Sequence, residues 1–434
     1  MSYASNRTKS QDVIPVVIGS SYNAYGIVRS FGEEGIRSIL ISDSRKNFVQ
    51  YSKYLLRHVV MTDVNNDEAA FIRELVVLGK ELAPKRGMLF PTHDEHIQAI
   101  VESGEALSKY FEIPFSGEEV CKKMLSKATV AQICKQIGIP TIKEKVVSEF
   151  TQATECADAL NFPLIVKADS WDADTIAAFG DKIAIYFDRD EYLTAMGQFF
   201  ALKPQGHLLV QEYIRDSEVL MPTVNCFSDH QGTMRCVYVA EKLRQYPVKT
   251  GTSTAYQVVN PKDSKYSDII RYTKELLAET KFYGLSGTEF KYDPKESCYK
   301  LVEINIRSEF PNYMQTLAGQ NMPYQIFKYH LGQDVSIPYY PRLKSASCAV
   351  PFDDWFYAVH LNRCQDRTSA MTTKEWKRTL TAPKTGYGLT IKDIKPFLFS
   401  YMVSILRGAN SYIRIKHKIP KTVSTIDWFF KKRS

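Results

Sequence analysis

The sequence predicts a protein of several domains, in which a doubly wound parallel α/β domain precedes an α+β part with antiparallel sheets. Three observations support this prediction. Strand and helix signals alternate over residues 13–115, β-runs joined by turn-rich segments replace them from about Val219, and 434 residues are too many for one ordinary hydrophobic core. We therefore divide the chain into residues 1–118, 119–208, 209–335 and 336–434.

The first strand and loop have the outline of a nucleotide-binding βα unit. The apolar run VIPVVIG ends at Gly19, and the next glycine is Gly26, with Tyr22 and Tyr25 between them. A dinucleotide-binding loop needs G-x-G-x-x-G, whose second glycine lets the backbone approach the pyrophosphate. The spacing excludes that motif, so we interpret the stretch as a βα turn of an α/β domain.

Two histidines three residues apart, His93 and His96, raise the question of a metal site. Thr92 and Glu95 have the spacing of a capping box, which places both histidines at the start of a helix. Because no other His or Cys lies beside them in the sequence, we expect a structural role for this pair.

The composition argues against a secreted protein, a membrane-spanning protein and a zinc protein. The polar N-terminus lacks the apolar segment of a signal peptide, and no apolar run is long enough to span a membrane. Eight scattered cysteines include no C-x-x-C pair, which predicts reduced thiols without a zinc site. We therefore expect a cytoplasmic protein.

The positive charge belongs to the C-terminal segment. From Ile391 onward, ten Lys and Arg residues stand against two Asp residues, and their net charge of +8 equals that of the whole chain. The segment is suited to an anionic precursor or to the inner face of a membrane, although a solvated helix face is the alternative. We expect no nucleic-acid binding, because aromatic and basic residues are not interleaved on one platform.

The most specific chemical signal is the stretch GLSGTEFKYDPKESCYKLVEINIRSEF. In LVEINIR, apolar residues alternate with Glu303, Asn305 and Arg307, so one strand face is apolar and the other carries a carboxylate, an amide and a guanidinium. The run TEFKYD places Glu289 and Lys291 on one face, and DPKES has turn chemistry. If the hairpin folds about residue 296, Glu289 lies opposite Glu303.

Two carboxylates and an amide oxygen at one point favour a hard cation such as Mg²⁺. The alternative is a solvent-facing hairpin with ordinary polar residues, and the clean apolar face argues against it. A metal that holds phosphates also needs separate cationic ligands. Lys127, in the first turns of the predicted helix that follows Cys121, and Lys167, at the end of the apolar run FPLIV, are suitable, although each alone could be a surface lysine.

Taken in order, these motifs resemble the ATP-grasp enzymes, and among them the carboxylate–amine ligases of D-aspartate ligase type. The motifs are PVVIGSSYNAYGIVRSF, LSKATVAQICKQIGIP, FPLIVKA, VQEYI, KLRQYP with GTSTA, and GLSGTEFKYD with LVEINIR. They extend from about residue 15 to about residue 335. The resemblance implies a Rossmann-like pre-ATP-grasp domain at 1–118, the small lid subdomain of the ATP-grasp fold at 119–208, its large subdomain with the metal site at 209–335, and a basic extension at 336–434.

The resemblance also implies a role for each motif, with ATP and Mg²⁺, or Mn²⁺ in its place, as cofactors. Lys127 and Lys167 would hold phosphates. The adenosine part of ATP would contact Glu212, Tyr213, Ile214, Asp216 and Glu218. The metal would be held by Glu289, Glu303 and Asn305, and the catalytic residues would be Arg307 and Lys291. The substrate would contact Ser20, Ser21, Asn23, Arg244, Gly251, Thr252 and Ser253.

The implied reaction is ATP-driven amide formation through an acyl-phosphate. It would join D-aspartate or another amino acid to an amine on a cell-wall or surface-polymer precursor. An ATP-grasp phosphotransferase and a non-catalytic nucleotide-binding protein on the same fold are the alternatives. Because ATP-grasp ligases are often dimers, a homodimer is a further expectation.

The sequence departs from the family pattern in two places. The loop at residues 168–181 carries Asp169, Asp172 and Asp174 where relatives have a glycine-rich flap over the triphosphate. These carboxylates would repel phosphate. Glu289 stands where many relatives have Asp, which is a tolerable change for a metal ligand.

Overall fold

The structure is a computed structural model that describes residues 12–168, 179, 183–202, 206–214, 221–246, 252–310, 312–343, 346–349, 351–361, 371–380, 384–386 and 391–416. The chain divides into two units. Unit 1 consists of Met1–Val130, Pro222–Thr288 and Ile304–Ser434, and unit 2 consists of Ala131–Met221 and Glu289–Glu303. The division into four domains stays a prediction.

Unit 1 begins with alternating strands and helices. The strands are β1 (Val13–Ile18), β2 (Ser38–Ser42), β3 (Leu55–Val60), β4 (Arg86–Pro91) and β5 (Phe111–Glu112). The helices are α1 (Tyr22–Glu33), α2 (Glu68–Leu82), α3 (Asp94–Glu102), α4 (Gly104–Leu107) and α5 (Glu118–Leu125). The strands form one parallel sheet in the order β3-β2-β1-β4-β5. This confirms the predicted doubly wound α/β domain.

Apolar side chains alternate between the two faces of this sheet. On β1, Val17 packs in a core cluster with Phe31 of α1, whereas its neighbour Val16 packs in a second cluster with Phe71 of α2. Both valines are fully buried, as expected for a central parallel strand that helices cover on each side.

Unit 2 contains a four-stranded antiparallel sheet. Its strands are β6 (Glu144–Val147), β7 (Leu164–Ala168), β8 (Ile183–Tyr186) and β9 (Leu208–Glu212), in the order β6-β9-β7-β8. Helix α6 (Lys127–Gln136) leads into the unit, and α7 (Phe150–Ala159) and α8 (Arg189–Ala201) follow β6 and β8. The core contains Val166 of β7 and Tyr192 of α8, both fully buried.

A third sheet has seven strands. They are β10 (Pro222–Ser228), β11 (Met234–Tyr246), β12 (Thr252–Val258), β13 (Gly284–Asp293), β14 (Cys298–Asn305), β15 (Ala346–Ala349) and β16 (Lys384–Gly386). Their order is β14-β13-β10-β11-β12-β15-β16, and β10, β11, β12 and β15 pair antiparallel. The sheet confirms the predicted change to antiparallel pairing after about Val219.

The remaining helices belong to unit 1. They are α9 (Ser267–Thr280), α10 (Asn312–Leu317), α11 (Met322–His330), α12 (Pro351–Phe356), α13 (Thr373–Thr379) and α14 (Ile394–Lys416). Among the helices that the structure describes, none has both the length and the apolar character needed to cross a bilayer. Among the cysteines whose side chains the structure describes, six are free thiols, and five of them are buried.

Candidate active site

The predicted metal ligands lie on the hairpin of β13 and β14. Glu289 and Glu303 are half-buried and belong to unit 2, whereas Asn305 is buried at the end of β14 and belongs to unit 1. Glu303 and Asn305 are two residues apart on one strand, so their side chains project from the same face. Oxygen donors of this kind are those that Mg²⁺ prefers, so the donor set fits the ion. The register that would pair Glu289 with Glu303 stays a prediction.

In the described part of the chain, no group of three or more His, Cys, Asp and Glu residues could hold a metal ion. The predicted set of Glu289, Glu303 and Asn305 does not meet this criterion, because it contains only two carboxylates and its third member is an amide. The role of Glu289, Glu303 and Asn305 as metal ligands stays a prediction.

Asn305 belongs to a partly buried polar network within unit 1. We name it the Asn305 network, and it comprises Asn305, Arg307, Glu309, Thr223 and Asp94. The Asn305 Nδ2 donates to Glu309 Oε1 at 2.6 Å, and the Arg307 guanidinium donates to Asn305 Oδ1 at 2.9 Å. The carboxylate of Glu309 accepts from the amide nitrogen, so the amide oxygen is directed away from it. An amide oxygen has two lone pairs, so accepting from Arg307 does not prevent it from binding a cation.

Arg307 does not lie on a strand, contrary to the prediction. Strand β14 ends at Asn305, so Arg307 lies beyond the strand and not on its face. The predicted continuation of the strand through Arg307 is therefore wrong. Asp94, at the first position of α3, orients the guanidinium through a contact of 2.9 Å between Arg307 Nε and Asp94 Oδ1. A guanidinium held at two points in this way is suited to contact a phosphoryl group.

Glu309 and Thr223 were not predicted as site residues. Glu309 is 6% exposed, and its Oε2 accepts from the Thr223 hydroxyl at 2.8 Å. A Cβ at Gly287 would lie 2.1 Å from Glu309 Oε2, so the carboxylate occupies space that only glycine leaves open. The sequence carries no local signal for this contact, because β10, β13 and the segment after β14 meet only in the folded chain.

A cavity of about 160 Å³ lies at the carboxyl ends of β1 to β4. Its wall includes Ser20 after β1, residues that follow β2 and β3, and part of α3. The titratable side chains that line it are Asp43, Asp63, His93, Glu95 and His96. Open parallel sheets bind their ligands at this end of the strands. The structure thus places Ser20 on a cavity wall, and its contact with substrate stays a prediction.

Ser21 and Asn23 hold the first turn of α1. The Ser21 hydroxyl oxygen accepts from the Asn23 backbone N–H at 3.3 Å, which makes Ser21 the N-cap of the helix. Asn23 is 7% exposed, and its Nδ2 donates to the Ser308 carbonyl at 2.5 Å. These contacts tie the first loop to the segment that carries the Asn305 network. Direct contacts of Ser21 and Asn23 with substrate stay predictions.

The predicted capping box at Thr92 and Glu95 is wrong. Helix α3 begins at Asp94 with His93 as its N-cap, and no side chain caps it. The Thr92 hydroxyl instead donates to the Ile18 carbonyl at 2.8 Å, because β4 lies beside β1. The rings of His93 and His96 are 5.6 Å apart. Burial lowers the pKa of His93, and burial together with His93 lowers the pKa of His96 to about 4.

We expect His96 to make the stability of unit 1 depend on pH. Its pKa of about 4 in the folded chain lies below the ordinary value of 6.5, so the unfolded chain binds the proton more tightly. The free energy of unfolding is therefore highest above pH 6.5, where His96 is neutral in both states. It falls as the pH decreases from 6.5 towards 4, because the unfolded chain then takes up the proton. The gap between the two pKa values corresponds to at most about 3 kcal/mol.

Urea unfolding from pH 7 to pH 4.5 tests this expectation. His96→Gln should weaken the decline of the free energy of unfolding over this range. His207→Gln changes an exposed histidine and serves as the matched control, which should keep the wild-type dependence. An unchanged slope in His96→Gln would show that His96 does not cause the acid sensitivity.

The predicted phosphate and adenine ligands are found in both units. Lys127 is exposed at the first position of α6. In unit 2, Lys167 on β7 donates to Gln211 Oε1 at 3.2 Å, and Glu212 at the end of β9 accepts from the Asn161 side chain at 2.8 Å. Asp216, Glu218, Gly251 and the loop at 168–181, except Ala168 and Phe179, lie outside the described residues.

Tyr213 and Ile214 follow β9, and Ile214 is 8% exposed. Lys291 is buried on β13, and its Nζ lies 4.7 Å from the centre of the Tyr213 ring. The predicted catalytic lysine therefore contacts Tyr213, a predicted adenosine ligand, within unit 2. Its role in catalysis stays a prediction.

Arg244, which was predicted to contact substrate, is bound by a carboxylate of the chain itself. It lies on β11 and donates to both oxygens of Asp354 on α12, at 2.8 and 2.6 Å. The Thr254 hydroxyl and the Trp376 indole each donate to the same carboxylate at 2.7 Å. We name these four residues the Asp354 cluster. Contact between Arg244 and a substrate stays a prediction.

The neighbouring residues of the predicted substrate segment lie on β12. Thr252 is the first residue of that strand, and Ser253 is half-buried on it. Strand β12 pairs with β11 through Ser253 and Gln245, so the segment shares one sheet with Arg244. Its contacts with substrate stay predictions.

Residues 126–332 match the family described as carbamoyl-phosphate synthase L chain, ATP binding domain. The D-aspartate ligase of Enterococcus faecium is 26% identical over 328 residues, which cover 73% of this chain and 76% of that protein. Among solved structures, the L-amino acid ligase from Bacillus licheniformis has a TM-score of 0.58 at 16% identity, over 78% of this chain and 80% of that one. The N5-carboxyaminoimidazole synthetase from Staphylococcus aureus has a TM-score of 0.58 at 14% identity, over 79% and 83%.

Proposed function

We propose that this chain, which carries an ATP-grasp domain in an ATP-grasp fold and is similar to D-aspartate ligase, is an ATP-dependent carboxylate–amine ligase that releases ADP. The observation that carries the proposal is the run Glu303, Asn305 and Arg307. Glu303 and Asn305 project from one strand face, and Arg307 is oriented by Asn305 and Asp94. A carboxylate, an amide oxygen and a fixed guanidinium in this order suit the triphosphate of a metal–ATP complex.

The similarity to ATP-binding relatives supports the ligands that we assign to the nucleotide. Glu289, Glu303 and Asn305 would hold Mg²⁺, or Mn²⁺ in its place, and the bound ion would neutralise charge on the phosphate oxygens. Lys127 and Lys167 would bind phosphate oxygens as point charges. The adenosine part would lie against the segment from Glu212 to Ile214.

The proposed reaction has two steps. A substrate carboxylate oxygen attacks the γ-phosphorus of ATP, and the bond from that phosphorus to the bridging oxygen breaks. The products of this step are an acyl-phosphate and ADP. The nitrogen of an amine then attacks the acyl carbon, the carbon–oxygen bond breaks, and inorganic phosphate leaves as the nitrogen loses a proton. Arg307 would stabilise the charge on the transferred phosphoryl group in the first step. Neither step needs a side-chain nucleophile.

For the substrates, we propose D-aspartate or another amino acid as the carboxylate and an amine on a cell-wall or surface-polymer precursor as the acceptor. Similarity to D-aspartate ligase and to an L-amino acid ligase supports the amino acid. The cavity at the ends of β1 to β4 supports a cationic amine, because Asp43, Asp63 and Glu95 line it.

A hydroxamate assay tests the proposal. Purified protein is incubated with ATP, Mg²⁺, hydroxylamine and a panel of D- and L-amino acids, and both ADP and hydroxamate are measured. We expect ADP release and hydroxamate in equal amounts with at least one carboxylate, because hydroxylamine intercepts an acyl-phosphate.

The other outcomes identify the alternatives. ADP release that depends on a carboxylate but yields no hydroxamate would favour a phosphotransferase. ATP binding without ADP release, with every carboxylate and with hydroxylamine present, would favour a non-catalytic nucleotide-binding protein. Reactions without ATP are the control for chemical hydroxamate formation.

A further inference from the structure

The C-terminal helix α14 carries its large apolar side chains on its exposed face. The six residues concerned are between 40% and 70% exposed, and they are Ile394, Leu398, Tyr401, Met402, Ile405 and Leu406. We name this surface the α14 apolar face. On the helix, successive residues are rotated by about 100°, so these six positions fall within about 140° of the circumference.

The buried positions of the same helix carry small side chains, whereas Phe397 and Phe399 are half-buried. Ser400 and Ser404 are 7% and 5% exposed, and Pro396 is also buried. These positions lie almost opposite the α14 apolar face. A surface helix of a globular protein normally turns its apolar stripe towards the core. Helix α14 does the reverse, and a continuous exposed apolar surface of this kind marks an interaction site.

The orientation of α14 is held by specific contacts within unit 1. Asp393, directly before the helix, is 4% exposed, and its carboxylate accepts from the Ser52 hydroxyl at 2.6 Å and from the Lys53 backbone N–H at 3.0 Å. The rings of Tyr51 and Phe399 lie 4.9 Å apart. The buried and half-buried side of the helix is therefore attached to the body of unit 1. The α14 apolar face is directed outward, with Tyr401 at its edge 5.3 Å from the Phe352 ring of α12.

Charge decides which occupant fits this face. Residues 394–416 contain four basic residues and no acidic residue, and the sequence from Ile391 onward has a net charge of +8. A second copy of the chain would bring the same positive charge to the contact and would be repelled. Anionic headgroups beside an apolar layer match both properties of the helix.

We propose that α14 lies in the interface of an anionic phospholipid membrane, with the α14 apolar face inserted among the acyl chains and the basic residues at the headgroups. This surface contains none of the residues assigned to the metal, the nucleotide or the substrate. The membrane proposal is therefore independent of the proposed ligase activity.

Vesicle flotation with the full chain tests this proposal. Vesicles of phosphatidylcholine with phosphatidylglycerol should bind the chain at least about tenfold more tightly than vesicles of phosphatidylcholine alone, and high salt should weaken binding. The double variant Leu398→Glu, Met402→Glu should bind the anionic vesicles about a hundredfold more weakly, because two charges replace apolar side chains in the membrane interface. Val77→Glu, at a 54% exposed position of α2, is the matched control and should bind as the wild type does.

Circular dichroism and thermal unfolding establish that each variant is folded. The proposal is overturned if the full chain does not bind anionic vesicles, or if the double variant binds them as tightly as the control. Light scattering after size exclusion gives a further outcome. A dimer that the double variant abolishes, without vesicle binding by the wild type, would assign the α14 apolar face to a second copy of the chain.

Discussion

Glu303→Gln is expected to lower ADP release by at least about a thousandfold, while the chain remains folded. The substitution keeps the size of a half-buried side chain on β14 and removes only its charge. In the proposed site that charge helps to hold the metal that neutralises the triphosphate. A Gln oxygen is a much weaker ligand for Mg²⁺ than a carboxylate oxygen.

The matched control is Glu296→Gln in the turn of the same hairpin. Glu296 forms an ion pair with Lys300 at 2.7 Å, and its side chain is 56% exposed, so its loss should leave ADP release near the wild-type rate. Glu289→Asp should retain substantial activity, because the carboxylate is kept. Near-normal ADP release by Glu303→Gln, measured with the carboxylate that gives a hydroxamate, would refute the proposed site.

Asp354→Ala is expected to destabilise unit 1 by about 3–5 kcal/mol. Asp354 is fully buried, and three side chains of the Asp354 cluster donate to its carboxylate. Removal of the carboxylate leaves the guanidinium of Arg244, whose side chain is only 12% exposed, without its counter-ion. An uncompensated charge in such a place is costly, because protein surroundings screen it less than water does.

Urea unfolding of three variants measures this effect. Asp354→Ala combined with Arg244→Met should be more stable than Asp354→Ala alone, because the second substitution removes the isolated charge. Glu81→Ala breaks an exposed ion pair with Arg57, at 3.0 Å, and should cost no more than about 1 kcal/mol. Equal costs for Asp354→Ala and Glu81→Ala would show that the Asp354 cluster contributes no more than a surface pair.

The Asp354 cluster also shows where sequence reasoning ends. Arg244 was predicted to contact substrate because it lies in a motif. Its partner Asp354 is 110 residues away in sequence, in the segment that the resemblance covers least. No periodicity connects the two positions. The ion pair exists because β11 and α12 meet in unit 1, and this meeting is a property of the folded chain.

Local patterns were sufficient for several elements. The alternation of apolar and polar residues in TEFKYD and LVEINIR predicted β13 and β14, because side chains on a strand alternate between faces. The alternation of strand and helix signals over residues 13–115 predicted the parallel sheet, because parallel strands need helical crossovers. In both cases the information lies within a few neighbouring residues.

The same kind of pattern was insufficient at element ends. The apolar alternation continues through Ile306, yet β14 ends at Asn305 and Arg307 turns to Asp94 on α3. Thr92 has the spacing of a helix cap, yet its hydroxyl donates to β1. At each end a hydrogen-bonding partner from a distant segment replaced the local one, and the sequence near the end cannot reveal that partner.

The sequence by itself determined the fold class, the hairpin with its two carboxylates, and the basic character of the C-terminal segment, because each depends on residue type and short-range spacing. Tertiary structure alone decided which charges are buried and which apolar side chains are exposed. Glu309 is enclosed by β10 and β13, and α14 turns Leu406 outward while Ser404 is buried. Burial depends on which segments meet, and those contacts join residues that are far apart in the chain.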